Sequence, residues 1–278
     1  MRRSVVLTIT AFALVAPPAA AGDGVPPAGA DAGPAGVTMP DIAYRWVALR
    51  VPGHTLIEAI DQQGGRIEVT RIVREPLVVP AVAVDQSATG LSADGTTLVL
   101  ARASRRFPRR RSSFAIFDAN TLRPLTRVVL PGDFTLDAVS PDGGRLYFIQ
   151  AKGQTRYAVR AYDVAKQRLL PGAIVDPEEA DEPMVGVPLA RAVSPDGRWA
   201  YTLYDENGDK QFIHALDTER GEAKCIDLDD IRPVEDLSVG RDGSLSLTGG
   251  GELVHRVDPR PAPMALFGWF TALGLRTR

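Results

Sequence analysis

The chain has 278 residues, with 32 Lys and Arg against 34 Asp and Glu, and a formal charge of −2. That balance supplies no global positive field with which to gather nucleic acid or anionic lipid. Cys225 is the only cysteine, which excludes an internal disulfide and a thiolate-rich metal site.

In chain order, Arg2 and Arg3 precede an apolar run from Val5 to Val15, and Ala19-Ala20-Ala21 stands before Gly22. A charged start, a short apolar stretch and a small-residue cleavage pattern predict a secretion signal over residues 1–21, with a buried apolar helix as the alternative. The run is shorter than the roughly 20 residues that a bilayer span requires. No Cys follows the cleavage position, so the usual bacterial lipid anchor has no attachment point. Residues 22–40 are rich in Pro, Gly and Ala and lack the apolar side chains that offset ordering entropy, which predicts a disordered linker. The folded domain is expected over residues 41–262, followed by an apolar tail over residues 263–278 that reads as ring packing, an outer strand or a degenerate anchor.

Within the domain, VSPDGGRLYFIQ from Val139 and VSPDGRWAYTLY from Val193 are nearly the same phrase. Ser-Pro-Asp-Gly fills the positions of a type I turn one by one, and the run after it has strand character. Weaker copies begin at Leu91 and Val239, so Asp-Gly turns stand at Asp94, Asp142, Asp196 and Asp242. A second landmark alternates with them: an apolar strand that ends in Asp61, Asp118, Asp163, Asp217 or Asp258. One unit is therefore strand a, Asp-Gly turn, strand b, loop, strand c ending in Asp, turn, strand d, with a period of 41 to 57 residues. Four antiparallel strands at that period predict an all-β fold, a β-propeller of about five four-stranded blades. The first unit lacks strand a and the last lacks strand d; sharing strands between the termini would close the ring, and an incompletely closed ring is the competing possibility.

The SPDG phrase, the strand-c Asp and the turn after it resemble bacterial YVTN-type and TolB-like propeller repeats over about Tyr44 to Asp258. SPDGRWAYTLY, HALD and CIDLD also resemble segments of a group of exported bacterial proteins. The resemblance implies the fold and export, and no reaction.

In such a blade the b–c and d–a connections share one face, and that face collects everything irregular. Arg105, Arg106, Arg109, Arg110 and Arg111, with Arg102, crowd one loop. Guanidinium forks suit a polyanion, a phosphorylated envelope polymer or an acidic partner, and a solvated hairpin tip is the plain alternative. Glu178, Glu179, Asp181 and Glu182, with Asp176, form an acidic run on the same face, either a binding surface or a partner for the arginines across the rim. Asp205-Glu206-Asn207-Gly208-Asp209 imitates a calcium loop but has Lys210 and Leu216 where Gly and Glu are needed, so it reads as a hairpin turn.

His214 and His255 occupy equivalent repeat positions, which reads as structural rather than as a metal pair, and Cys225 reads as a small buried hydrophobe. No GxSxG elbow, HExxH or phosphate-cradling loop is present, so no catalytic residue, metal site or cofactor is assigned. The expectation is a monomeric, non-catalytic propeller, secreted or at the extracellular face of the cell envelope, without a transmembrane span. Its partner would be a protein or an anionic envelope polymer and not nucleic acid. The competing reading is a lactonase-like or metal-assisted hydrolase with Asp137 and Asp236 in a central channel.

Overall fold

Ser140 to Gly143 show how the repeated phrase folds in the computed structural model, which describes residues 35–257 except 105, 207, 209 and 229–232. The Ser140 hydroxyl donates to Asp142 Oδ1 at 2.7 Å, the Gly143 amide returns to the Ser140 carbonyl at 2.9 Å, and the Arg145 amide donates to Ser140 Oγ at 2.8 Å. Gly143 takes a φ of +71°, which favours a residue without Cβ. Ser194 to Gly197 repeat this bonding, as do Ser92 to Gly95; at Val239 to Gly243 the serine is replaced by Gly240 and Ser244 supplies the hydroxyl to Asp242.

These turns separate strands that form five antiparallel sheets. The first contains β1 (Tyr44–Val51), β2 (His54–Asp61) and β3 (Ile67–Val73). The second contains β4 (Leu77–Val78), β5 (Thr97–Arg102), β6 (Arg111–Asp118) and β7 (Pro124–Pro131). The third contains β8 (Phe134–Val139), β9 (Arg145–Ala151), β10 (Tyr157–Asp163) and β11 (Arg168–Leu169). The fourth contains β12 (Val187–Val193), β13 (Trp199–Glu206), β14 (Lys210–Asp217) and β15 (Glu222–Asp227), and the fifth β16 (Asp236–Val239), β17 (Leu245–Gly249) and β18 (Glu252–Val257). Neighbouring strands in each sheet are consecutive in sequence, as in propeller blades.

Side-chain alternation explains why β5 and β9 carry few polar residues. Leu98 and Leu100 of β5 pack toward the first sheet, while Val99 and Ala101 pack toward the third. In β9, Leu146 and Phe148 face the second sheet, and Tyr147 and Ile149 face the fourth. Each large apolar side chain removed from water contributes about 1.5–3 kcal/mol before entropy is counted. Four hydrophobic clusters result, one between each successive pair of sheets. Among the described residues the ring is not closed by hydrogen bonds between the fifth sheet and the first.

Two features correct the reading of the termini and the centre. Val37, assigned to the linker, is bonded to Trp46 in both directions at 2.8 Å, and Val37 and Met39 are buried in the first cluster. The first blade thus carries an isolated inner bridge from just ahead of β1. The connection from Val79 to Thr89 is not a rim loop. Strand a of the second blade is split, with Leu77–Val78 pairing with Ala101–Arg102 and Leu91 pairing with Leu98, and the residues between fold back on themselves through Ala81 and Ala88. This plug crosses the ring, where the Val84 and Asp85 amides donate to Pro188 and Leu189 carbonyls at 3.0 Å and Thr89 Oγ1 donates to Asp137 O at 3.1 Å. The expected leader, most of the expected linker, the end of the domain from Asp258 and the apolar tail over residues 263–278 lie outside the described residues. No helix among the described residues is long and apolar enough to cross a membrane.

The strand-c aspartates cap the next turn: Asp118 accepts from the Thr121 amide at 2.8 Å, Asp163 from Lys166 at 2.8 Å, and Asp217 from Glu219 and Arg220 at 3.0 Å.

Gly197→Ala is expected to destabilise the protein more than Gly243→Ala. Both place a side chain at positive φ, costing about 1–2 kcal/mol. Only at Gly197 would the new methyl collide with Ala93, adding about 1–3 kcal/mol. Urea unfolding of the two variants measures the difference.

Acid should weaken the turns. Hydrogen bonds from Ser140 hold Asp142 below the usual carboxylate value, those from Thr121 do the same for Asp118, and at Asp217 Arg198 and the turn amides together outweigh burial. A carboxylate lowered on folding contributes stability in full above its unfolded pKa of about 3.9, and loses it as pH falls through the lower folded value. Thermal unfolding at pH 5 and pH 3 should show a smaller drop for Asp142→Asn/Asp217→Asn than for the native chain.

Candidate functional site

The irregular connections converge on one face, as the blade geometry requires. The arginine loop connects β5 to β6, the Lys152–Arg156 loop connects β9 to β10, and the residue 207–209 loop connects β13 to β14, which pair up to Glu206 and Lys210. Gly208 has a φ of +83° and donates to Asp205 Oδ1 at 2.9 Å, a tight turn. Asn207 and Asp209 lie outside the described residues.

The arginines divide. Arg109 turns inward: its Nε donates to Asp133 Oδ1 at 2.6 Å, its backbone amide to Asp133 Oδ2 at 3.0 Å, and its Nη2 to Phe134 O at 2.5 Å. The Arg109 side chain is only 4% exposed, so it ties the loop to the start of β8 and is not available as a binding group. Burial lowers the Arg109 guanidinium below its usual value, and Asp133 opposes that shift. Arg102, Arg106, Arg110 and Arg111 are exposed. Arg105 lies outside the described residues. Among the described residues no ion pair joins the exposed arginines to the acidic run.

The acidic run has its own structure. Asp176 caps a short 3-10 turn, Pro177–Glu179, by accepting from the Glu178 amide at 2.9 Å, and its other oxygen accepts from the Cys225 amide of β15 at 2.8 Å. Glu178 and Asp181 point to solvent, while Asp176, Glu179 and Glu182 line a cavity of about 290 Å³. Tyr157, Glu206, Lys210 and Asp227 line it too, so acids outnumber the single base. Tyr157 stacks on Tyr204 with centroids 4.5 Å apart, and Tyr204 on Phe212 at 5.3 Å, which makes the inner wall aromatic.

Cys225 is half-buried on this wall and is not a plain core residue. Burial and the neighbouring Glu179 and Asp176 push its thiol well above the usual range. His214 lies directly opposite Cys225 across the β14–β15 ladder, so both side chains leave the same face of the sheet. It is fully buried, and burial lowers its imidazole to about 4 against the opposing pull of Asp176. His255, its repeat equivalent, is exposed on β18. Sequence equivalence did not carry over because β18 is an edge strand among the described residues, whereas β14 is flanked by β15. The acidic run was visible in the sequence, but its junction with Cys225 was not: 49 residues separate Asp176 from Cys225.

The channel reading loses its carboxylates. Asp137 is fully buried and paired with Arg191 Nε at 3.3 Å, both side chains being 2% exposed, and its carbonyl accepts from Thr89 Oγ1. Burial pushes the Asp137 carboxyl upward and Arg191 opposes it. Asp236 is exposed at the start of β16, bonded to the Leu237 amide. The two do not form a site. Arg191→Met should cost about 3–5 kcal/mol in urea unfolding because Asp137 is left buried without a counter-charge. Adding Asp137→Leu to that variant should recover most of the loss.

No family model and no curated protein matches the chain. Solved structures similar to it include hydrazine synthase from Kuenenia stuttgartiensis, at 16% identity and a TM-score of 0.48, with 76% of this chain and 54% of that one covered. TolB from Acinetobacter baumannii is 17% identical with a TM-score of 0.42, covering 74% of this chain and 47% of that one. An oligogalacturonate lyase in complex with manganese is 13% identical with a TM-score of 0.47, covering 77% and 57%. The chain spans about half the length of these structures. The assignment as a propeller of five blades rests on the chain's own sheets and their interfaces.

Proposed function

We propose that the protein is a non-catalytic propeller of the cell envelope that binds an anionic partner, an acidic envelope polymer or an acidic protein, through the exposed arginines of its irregular face. Arg106, Arg110 and Arg111, with Arg102 beside them, carry this reading. They are exposed, they stand on or next to a loop whose base is fixed by the buried Arg109–Asp133 pair, and among the described residues no ion pair holds Arg106, Arg110 or Arg111. A loop held from below presents charge at lower entropic cost than a free one. Guanidinium forks bind carboxylate and phosphate oxygens in pairs.

Export is supported by the charged, apolar and small-residue opening of the chain. The likeness of the SPDG units to TolB-like and YVTN-type repeats fits a scaffold whose variable loops do the binding. Burial of Asp137 favours this over a channel hydrolase, because the carboxylate that such a site would use is already committed to Arg191.

The test is retention on immobilised polyphosphate and polygalacturonate at low and physiological salt. Arg106→Ser/Arg110→Ser/Arg111→Ser should weaken binding about tenfold at low salt, and the native protein should lose affinity as salt rises. Equal retention of native and variant protein would remove the reading.

A further inference from the structure

Asp176, Glu179 and Cys225 each offer a ligand atom, and these atoms lie within 4.8 Å of one another on the cavity wall. Two distant pieces of chain bring them together. The 3-10 turn holds the carboxylates, and the bond from the Cys225 amide to Asp176 Oδ2 locks that turn against β15. Each Asp176 oxygen accepts one backbone amide and keeps a lone pair for another partner. Two carboxylates beside a thiol, in a partly buried site, are costly unless a cation stands among them. Among the described residues no ion pair supplies one: Lys210 lines the cavity without pairing to Asp176 or Glu179, and Lys224 approaches Glu178 at 3.9 Å instead.

A second observation is independent of the acids. His214 Nε2, on the strand face shared with Cys225 and close enough to Asp176 to feel its charge, is 1% exposed and has no hydrogen-bond partner. Buried polar atoms are nearly always satisfied, so this one calls for a group that the protein itself does not provide.

We propose that Asp176, Glu179 and Cys225 bind one zinc-class divalent cation, leaving a fourth position for a bound water or anionic group on the side of His214. Zn²⁺ accepts sulfur and oxygen ligands tetrahedrally at about 2.0–2.3 Å, which sets ligand atoms about 3.5 Å apart. Side-chain rotation of Glu179 and Cys225 achieves that contraction. Mg²⁺ and Ca²⁺ take oxygen ligands and gain nothing from a thiolate. The site is separate from the arginine loop, so it stands or falls independently of the polyanion reading.

Co²⁺ titration of the untagged, chelator-stripped protein tests the proposal. Cys225 is the only cysteine in the chain, so a thiolate-to-cobalt charge-transfer band can have no other origin. The expected result is a band that saturates at one equivalent and is bleached by Zn²⁺ but not by Mg²⁺. Cys225→Ser should abolish the band, and Glu179→Gln should weaken Zn²⁺ affinity about 10–100-fold. A native protein that binds Co²⁺ without the thiolate band, or that does not bind it, overturns the site. That outcome is read on the native chain, so it holds even if Cys225→Ser does not fold.

Discussion

Burial of both faces of the middle sheets is the constraint from which the rest of the molecule follows. A four-stranded sheet with Leu, Val, Phe and Tyr on either side cannot stand in water alone, so each sheet needs a neighbour on each side. Sheets two, three and four satisfy this, with Leu98 and Val99, or Phe148 and Tyr147, pointing in opposite directions from adjacent positions. The turns are consequences of the same demand. Sheets this close force the Asp-Gly corners against one another, so that Gly197 meets Ala93 and Gly143 meets Thr97.

What was legible in the sequence was local. Ser140, Asp142 and Gly143 interact within a few residues of one another, and Asp118 caps its own turn, so the phrase and the strand-end aspartates disclosed the strands, the period and the blade count. What was not legible depended on contacts between blades. Arg109 looked like its neighbours in the loop until Asp133, 24 residues away, drew it inward. The Val79–Thr89 segment resembled a long connection because its hydrogen bonds go to Pro188 and Leu189, about a hundred positions on. Its run of Val and Ala was the one available sign that it would be buried. Val37 and Met39 were hidden by the Gly and Pro around them, yet both are buried and Val37 bridges to Trp46.

The distribution of charge over the molecule follows from this packing. Two acids that enter the interior are paired with bases, Asp137 with Arg191 and Asp133 with Arg109, because an isolated buried charge is too costly. Those left on the irregular face are segregated, with guanidinium groups near the second blade and carboxylates between the third and fourth.

The plug changes how such a wheel comes apart. In a linear stack of repeats, each unit touches only the next, and the array can fray inward from either end. Here a single segment joins the second sheet to the fourth across the axis and also grips the third through Thr89, so these three blades must yield together. Among the described residues the first and fifth sheets each carry a hydrophobic cluster on one side only, which leaves them outside this cooperative unit.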